Sequence, residues 1–290
     1  MSVPTIRVKS TSAPKRALAL DALRGLAILG MALSGLVPYG VLPSWMYHAQ
    51  VPPPNHVFDG SIPGITWVDL VFPFFLFSMG AAFPLALRRK TEDGTPYWKL
   101  SLHLLERGVL LLGFGVYIQH IRPYSLNPSP QTETWVTALV GFLILFPVLT
   151  RLPKSWNQKT QWAIRLAGWA AVIILMLLVR FPDDKKLSIA RNDIIIIVLA
   201  NMAFFGGLIW LLTRDNWMLR LGVLGAMIGF RLAQKESGWV SVVWSASPIP
   251  SLYRFGFLQY LFIVLPGTIA GDQILSWIQS PQQDIESAIP

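Results

Sequence analysis

Eight apolar runs, at roughly 17–37, 65–87, 101–121, 134–150, 162–180, 193–213, 217–234 and 256–278, leave this chain little choice of fold. A run of about 20 apolar residues wound as a helix crosses a hydrocarbon core of about 30 Å, so a chain that repeats the pattern this often is a polytopic membrane protein. The runs are continuous and rich in Leu, Ile and Ala. A transmembrane barrel would instead alternate lipid-facing and lumen-facing residues. The expected fold class is therefore all-α, a polytopic transmembrane helix bundle of about eight spans. Only 13% of the 290 residues are charged, against roughly 25% in a soluble chain. One transmembrane domain over 17–280 is expected, with a basic tail at 1–16 and a polar tail at 281–290.

The net charge of +9 orients the chain and does not argue for nucleic acid, because membrane proteins gather Lys and Arg in their cytoplasmic loops. With the amino terminus inside, fifteen Lys and Arg residues fall on the cytoplasmic side, among them Arg88, Arg89, Lys90, Lys99 and Arg107, and eight fall outside. That asymmetry predicts a multi-pass membrane protein with its amino terminus in the cytoplasm and the loop between the first two spans outside. The first run is long and lacks a small-x-small cleavage site, so it reads as a retained helix rather than a signal peptide. The absence of cysteine removes disulfides, zinc-thiolate sites and thiol nucleophiles together.

Several other features read as structural. Gly225-Ala226-Met227-Ile228-Gly229 and Gly267-Thr268-Ile269-Ala270-Gly271 have the spacing that lets helices approach closely. Pro73 and Pro84 are expected to kink the second span. Most tryptophans, Trp67 included, sit near predicted span ends, as an interfacial belt requires. The mixed charge run Asp183-Asp184-Lys185-Lys186 reads as a solvated turn.

Chemistry has few places to sit. Asp21 and Arg24 lie three apart, on one helical face of the first span, and Asp69 opens the second. Ionisable residues inside spanning segments are costly and face partners or water, which makes them functional candidates. Asp21 and Arg24 equally suit a simple intrahelical pair, and Asp69 equally suits a favourable place at a helix amino terminus. The loop between these spans is proline-rich and carries His48 and His56, two of the four histidines. A carboxylate that accepts a histidine N–H fixes the tautomer and makes the other ring nitrogen a better base. No metal-ligand spacing, P-loop, GxGxxG or GxSxG elbow occurs.

The segment Leu20-Asp21-Ala22-Leu23-Arg24-Gly25-Leu26-Ala27-Ile28, followed by Pro63-Gly64-Ile65-Thr66-Trp67-Val68-Asp69-Leu70-Val71-Phe72-Pro73-Phe74-Phe75-Leu76-Phe77-Ser78-Met79-Gly80, resembles the heparan-alpha-glucosaminide N-acetyltransferase family and its bacterial relatives, often known as membrane proteins with a domain of unknown function. The likeness is specific over about the first 90 residues, and Tyr260 to Asp272 also looks like the bacterial branch. It implies a protein of the inner (plasma) membrane that transfers an acetyl group from cytoplasmic acetyl-CoA to an amino or hydroxyl group of a sugar or glycan on the far side. A histidine of the first outside loop is then at the centre, acting as general base or as a transient acyl carrier. His56 is the natural match, His48 the second candidate, and Asp69 the stabilising carboxylate. Asp21, Arg24, Arg88, Arg89, Lys90 and Arg107 become candidates for holding the donor or lining its path, with Ser34 as further lining, and no metal is expected. Family members have ten or eleven spans, so this chain reads as a shortened version of that fold. A homodimer is left open. From a different class, the intramembrane charges suit a transporter or flippase of a polar or lipid-linked solute, and a non-catalytic scaffold is the third reading.

Overall fold

The computed structural model describes residues 17–182 and 187–279. The basic amino-terminal tail, the 281–290 tail and the Asp183–Lys186 charge run lie outside the described residues. Ten α-helices are present among those described: α1 (Leu18–Leu36), α2 (Trp67–Glu92), α3 (Tyr97–Ile121), α4 (Pro123–Leu126), α5 (Thr132–Leu149), α6 (Gln158–Leu178), α7 (Ile194–Thr213), α8 (Trp217–Ala233), α9 (Trp239–Ser245) and α10 (Leu261–Gln279). The sole bridge between extended residues among them, Ile249 with Tyr253, makes no sheet, and the chain is an all-α polytopic bundle.

Seven helices are long and apolar enough to cross a membrane. They account for seven of the eight expected runs. The eighth, α8, is helical as expected but only 17 residues long, and it carries Arg220 and Arg231. Large apolar side chains remain exposed along α1, α5 and α6, as they do where a bilayer supplies the solvent.

The helices form two compact units. The first holds α1, α2 and nearly all of α10, and α1 packs along α2. Gly80 on α2 and Gly267 and Gly271 on α10 let two backbones meet. A Cβ added at Gly80 would strike the Val264 carbonyl, one at Gly267 the Phe77 carbonyl, and one at Gly271 the Ala81 carbonyl. The 267–271 motif is therefore used for packing, as its spacing suggests. Pro73 and Pro84 both lie inside α2, which is nevertheless one continuous helix.

The second unit runs from α3 to α9. Tyr117 on α3 donates its hydroxyl to the Gly141 carbonyl of α5 at 2.8 Å, and Gly168 on α6 sits against Pro147 and Val148 of α5. Helix α7 is apolar except for Asn201 and its last residue, Thr213, with Ile197, Val198, Met202, Trp210 and Leu211 buried. Here the same small-residue spacing has a different outcome, since nothing stands within 4 Å of a Cβ placed at Gly225 or Gly229.

Candidate active site

The 30-residue connection between α1 and α2 is organised by side chains bonding to backbone, because a loop this long has few ladder bonds of its own. Tyr47, 7% exposed, accepts from the Val41 and Leu42 amides at 3.1 and 2.7 Å and donates to Pro38 O at 2.9 Å. Gln50 Nε2 donates to Ile62 O and Gly64 O at 3.0 and 3.1 Å. Trp67 Nε1 donates to Met46 O at 2.7 Å, which ties the loop to the start of α2. Trp67 is thus a loop anchor as well as an aromatic at a span end.

These bonds place His48 against Asp69. His48 Nε2 lies 3.0 Å from Asp69 Oδ1, with the carboxylate side chain 14% exposed and the imidazole 38%. The Gln50 amide donates to His48 Nδ1 at 3.2 Å, so in the neutral ring the proton sits on Nε2 and is given to Asp69. The other carboxylate oxygen, Oδ2, accepts from Thr66 N at 2.8 Å, Thr66 Oγ1 at 3.0 Å and Ala49 N at 3.4 Å. Asp69 therefore does both things its position suggests. It caps α2 through Oδ2, as the last residue of the capping box that Thr66 opens, and holds a histidine through Oδ1. The helix amino terminus behind it favours negative charge.

The histidine that meets Asp69 is the second candidate, not the nearer one. His56 adopts φ +49° and stacks on Tyr39, with ring centroids 4.1 Å apart and planes 12° from parallel. Its Nδ1 lies 3.4 Å from Val51 O, and Tyr47 meets it edge-on at 5.9 Å. The loop's other carboxylate, Asp59, is spent on the Ser61 hydroxyl and amide, at 2.6 and 2.9 Å, and these bonds hold its carboxyl below the usual range.

Beside the His48–Asp69 pair is a pocket of about 210 Å³, walled by Leu33, Ser34 and Val37 of the α1 end, by Tyr39, Tyr47 and His48 of the loop, and by Trp67 and Val68 of α2. Ser34 is among its lining residues. Asp21 and Arg24 are not; thirteen residues of helix, roughly 20 Å, separate Asp21 from Ser34. They pair with each other at 3.7 Å, and Arg24 Nη2 donates to Ser78 O of α2 at 3.2 Å. Arg88, Arg89 and Lys90 are exposed at the end of α2, where cations complement the helix dipole, and Arg88 is paired with Glu92 at 2.9 Å. Arg107 is exposed on α3, in the second unit. Tyr39, Tyr47 and Gln50 had no signal in the sequence beyond their place in the loop.

An arrangement of carboxylate, imidazole and adjoining pocket is suited to proton transfer or to nucleophilic attack by a ring nitrogen. Over 117 residues, 40% of this chain, the sequence is 32% identical to human heparan-alpha-glucosaminide N-acetyltransferase, and over 118 residues it is 32% identical to the mouse protein of that name. The matched stretch is 15% of the human protein and 16% of the mouse protein, so the chain spans a small part of these relatives. The model of a domain of unknown function, DUF5009, matches residues 16–274, from ahead of α1 into α10, and by that match the chain belongs to the DUF5009 family.

Proposed function

We propose that this membrane protein is an acyltransferase that moves an acetyl (acyl) group from acetyl-CoA to an amino or hydroxyl group of a sugar or glycan, with His48 as its central residue. The observation that carries the reading is the His48–Asp69 pair beside an aromatic-walled pocket. The similarity to a membrane N-acetyltransferase supports it. The positive-inside asymmetry supports an inner-membrane protein with the pocket outside and the donor arriving from the cytoplasm.

With Nε2 committed to Asp69, the working atom is Nδ1; its one lone pair accepts from the Gln50 amide at 3.2 Å, a contact that has to open before the nitrogen takes a proton or an acyl group. As a base, Nδ1 takes the proton of the acceptor while the acceptor's nitrogen or oxygen bonds to the thioester carbonyl. The imidazolium then returns that proton to the departing CoA thiolate. As an acyl carrier, Nδ1 bonds to the carbonyl itself and the thiolate leaves; in a second step the acceptor bonds to the acetyl carbonyl, the bond to Nδ1 breaks, and the acceptor's proton passes to the departing thiolate or to water. In both routes Asp69 offsets the positive charge that develops on the ring.

The test is CoA release by the detergent-purified protein given acetyl-CoA and a panel of amino sugars, read with a thiol reagent. The chain has no cysteine and adds no background. His48→Ala is expected to lower turnover by roughly 10²–10⁴-fold without loss of the folded protein. Rapid quench with labelled acetyl-CoA separates the routes, since only the carrier route leaves label on the native chain. A folded native protein that neither binds acetyl-CoA nor releases CoA would end the proposal.

A further inference from the structure

The second unit carries a polar pocket that the acyl-transfer reading does not use. The chain between α9 and α10 turns back on itself, with the Phe255 amide donating to Ala246 O at 3.0 Å, the Tyr253 amide to Ile249 O at 2.9 Å and the Ser247 hydroxyl to Tyr253 O at 2.6 Å. Two asparagines pin this turn. Asn192, just ahead of α7, donates to Ser251 O at 3.1 Å, and Asn201, on α7 and 6% exposed, donates to Leu252 O at 2.9 Å. Ser251 is held at φ +67°, a left-handed conformation that serine keeps only where its surroundings fix it.

Against this turn lies a pocket of about 310 Å³, lined by Asn192, Ser247, Ser251, Tyr253, Arg254 and Phe257 among others. Its unspent side-chain donors are a guanidinium and two hydroxyls, beside one unspent acceptor, the Asn192 amide oxygen. Among the described residues the Arg254 guanidinium and the Ser251 and Tyr253 hydroxyls take no partner from the chain. Burial pushes the Tyr253 hydroxyl up, which keeps it protonated and able to donate. No carboxylate lines the pocket. Asp193, adjacent to Asn192, is turned onto the Ile195 and Ile196 amides at 3.0 and 3.1 Å, where it caps α7. A guanidinium and hydroxyl donors on a pinned turn, with no counter-charge, form a site for an anion.

We propose that this pocket binds an oxyanion, a carboxylate or phosphate on a polar ligand, gripped by Arg254 and oriented by Tyr253. Two sources carry that chemistry at a membrane surface, a lipid phosphate headgroup and an acidic sugar in solution.

The test uses the full chain in detergent, titrated calorimetrically with glucuronate and with inorganic phosphate. In parallel, nanodiscs of phosphatidylcholine with and without phosphatidylglycerol are read by native mass spectrometry for retained lipid. Binding is expected in at least one arm, weakened at least about tenfold by Arg254→Gln and several-fold by Tyr253→Phe, with the ligand-free melting temperature unchanged. Saturation in the soluble arm alone assigns a free acid, and selective retention of phosphatidylglycerol alone assigns the headgroup. Should Arg254→Gln melt early, the milder Tyr253→Phe decides by the same loss. No binding in either arm, or equal binding by native and variant proteins, overturns the site.

Discussion

The two ends of the α1–α2 hairpin both set charges into apolar sequence, and they use them differently. At the loop end, the Asp69 side chain is 14% exposed and both its oxygens are engaged, by one histidine nitrogen, one hydroxyl and two amides. At the other end, the Asp21 side chain is 58% exposed, and its one side-chain partner among the described residues, Arg24, is 3.7 Å away and 34% exposed. Enclosure is what separates a group that organises chemistry from one that merely tolerates its position. A buried carboxylate must be fully bonded, and whatever bonds to it is fixed in place, whereas an open pair is screened and worth about 0–1 kcal/mol.

The comparison breaks first, and by the largest margin, at Asp69. Asp69→Asn keeps one oxygen, which can still cap α2 by accepting from Thr66. Its amide NH₂ then faces His48 Nε2 and forces the proton onto Nδ1, which is left with no lone pair to take a proton or attack a carbonyl. The cap survives and the dyad does not. We expect kcat to fall by roughly 100-fold or more with the melting temperature within a few degrees of the native value. Equal loss of melting temperature and activity would mean that Asp69 is only a cap.

His56→Ala sharpens the comparison within the loop. Its ring is stacked on Tyr39, which also walls the pocket, so removing it loosens one wall and leaves the His48–Asp69 pair in place. An aromatic stack is worth about 0.5–1.5 kcal/mol, so the effect should stay below about tenfold and fall mainly on KM. A loss matching that of His48→Ala would return the central role to His56, the residue nearer Asp69 in sequence.

That choice between histidines shows where the sequence stops being legible. The spans were readable because each needs only its own composition, and seven expected runs match long helices to within a few residues. The short helices α4 and α9 have no such signal. Asp69 was readable as a charge at a span start, but its partner was not. Thirteen residues separate His56 from Asp69 and twenty-one separate His48, yet Trp67, Ala49 and Tyr47 fold the loop so that the farther ring arrives. Long-range bonds of that kind leave no local pattern. The two small-residue motifs teach the same lesson, because Gly267 and Gly271 meet a backbone while Gly225 and Gly229 meet open space. Spacing permits a contact, and only the partner makes it.

The smallest effect belongs to Asp21→Asn. The Asp21–Arg24 pair is long and open, and Arg24 keeps its bond to the Ser78 carbonyl when Asp21 loses its charge. The pair's contribution should be at most about 1 kcal/mol, or roughly 2–4 °C in melting temperature, with turnover within about twofold of native. The measurement is CoA release at saturating and at low acetyl-CoA. A variant that folds normally but needs far more acetyl-CoA would show that the donor's path runs past Asp21. The open end of the hairpin would then belong to the site despite its exposure, and enclosure would no longer separate the two ends.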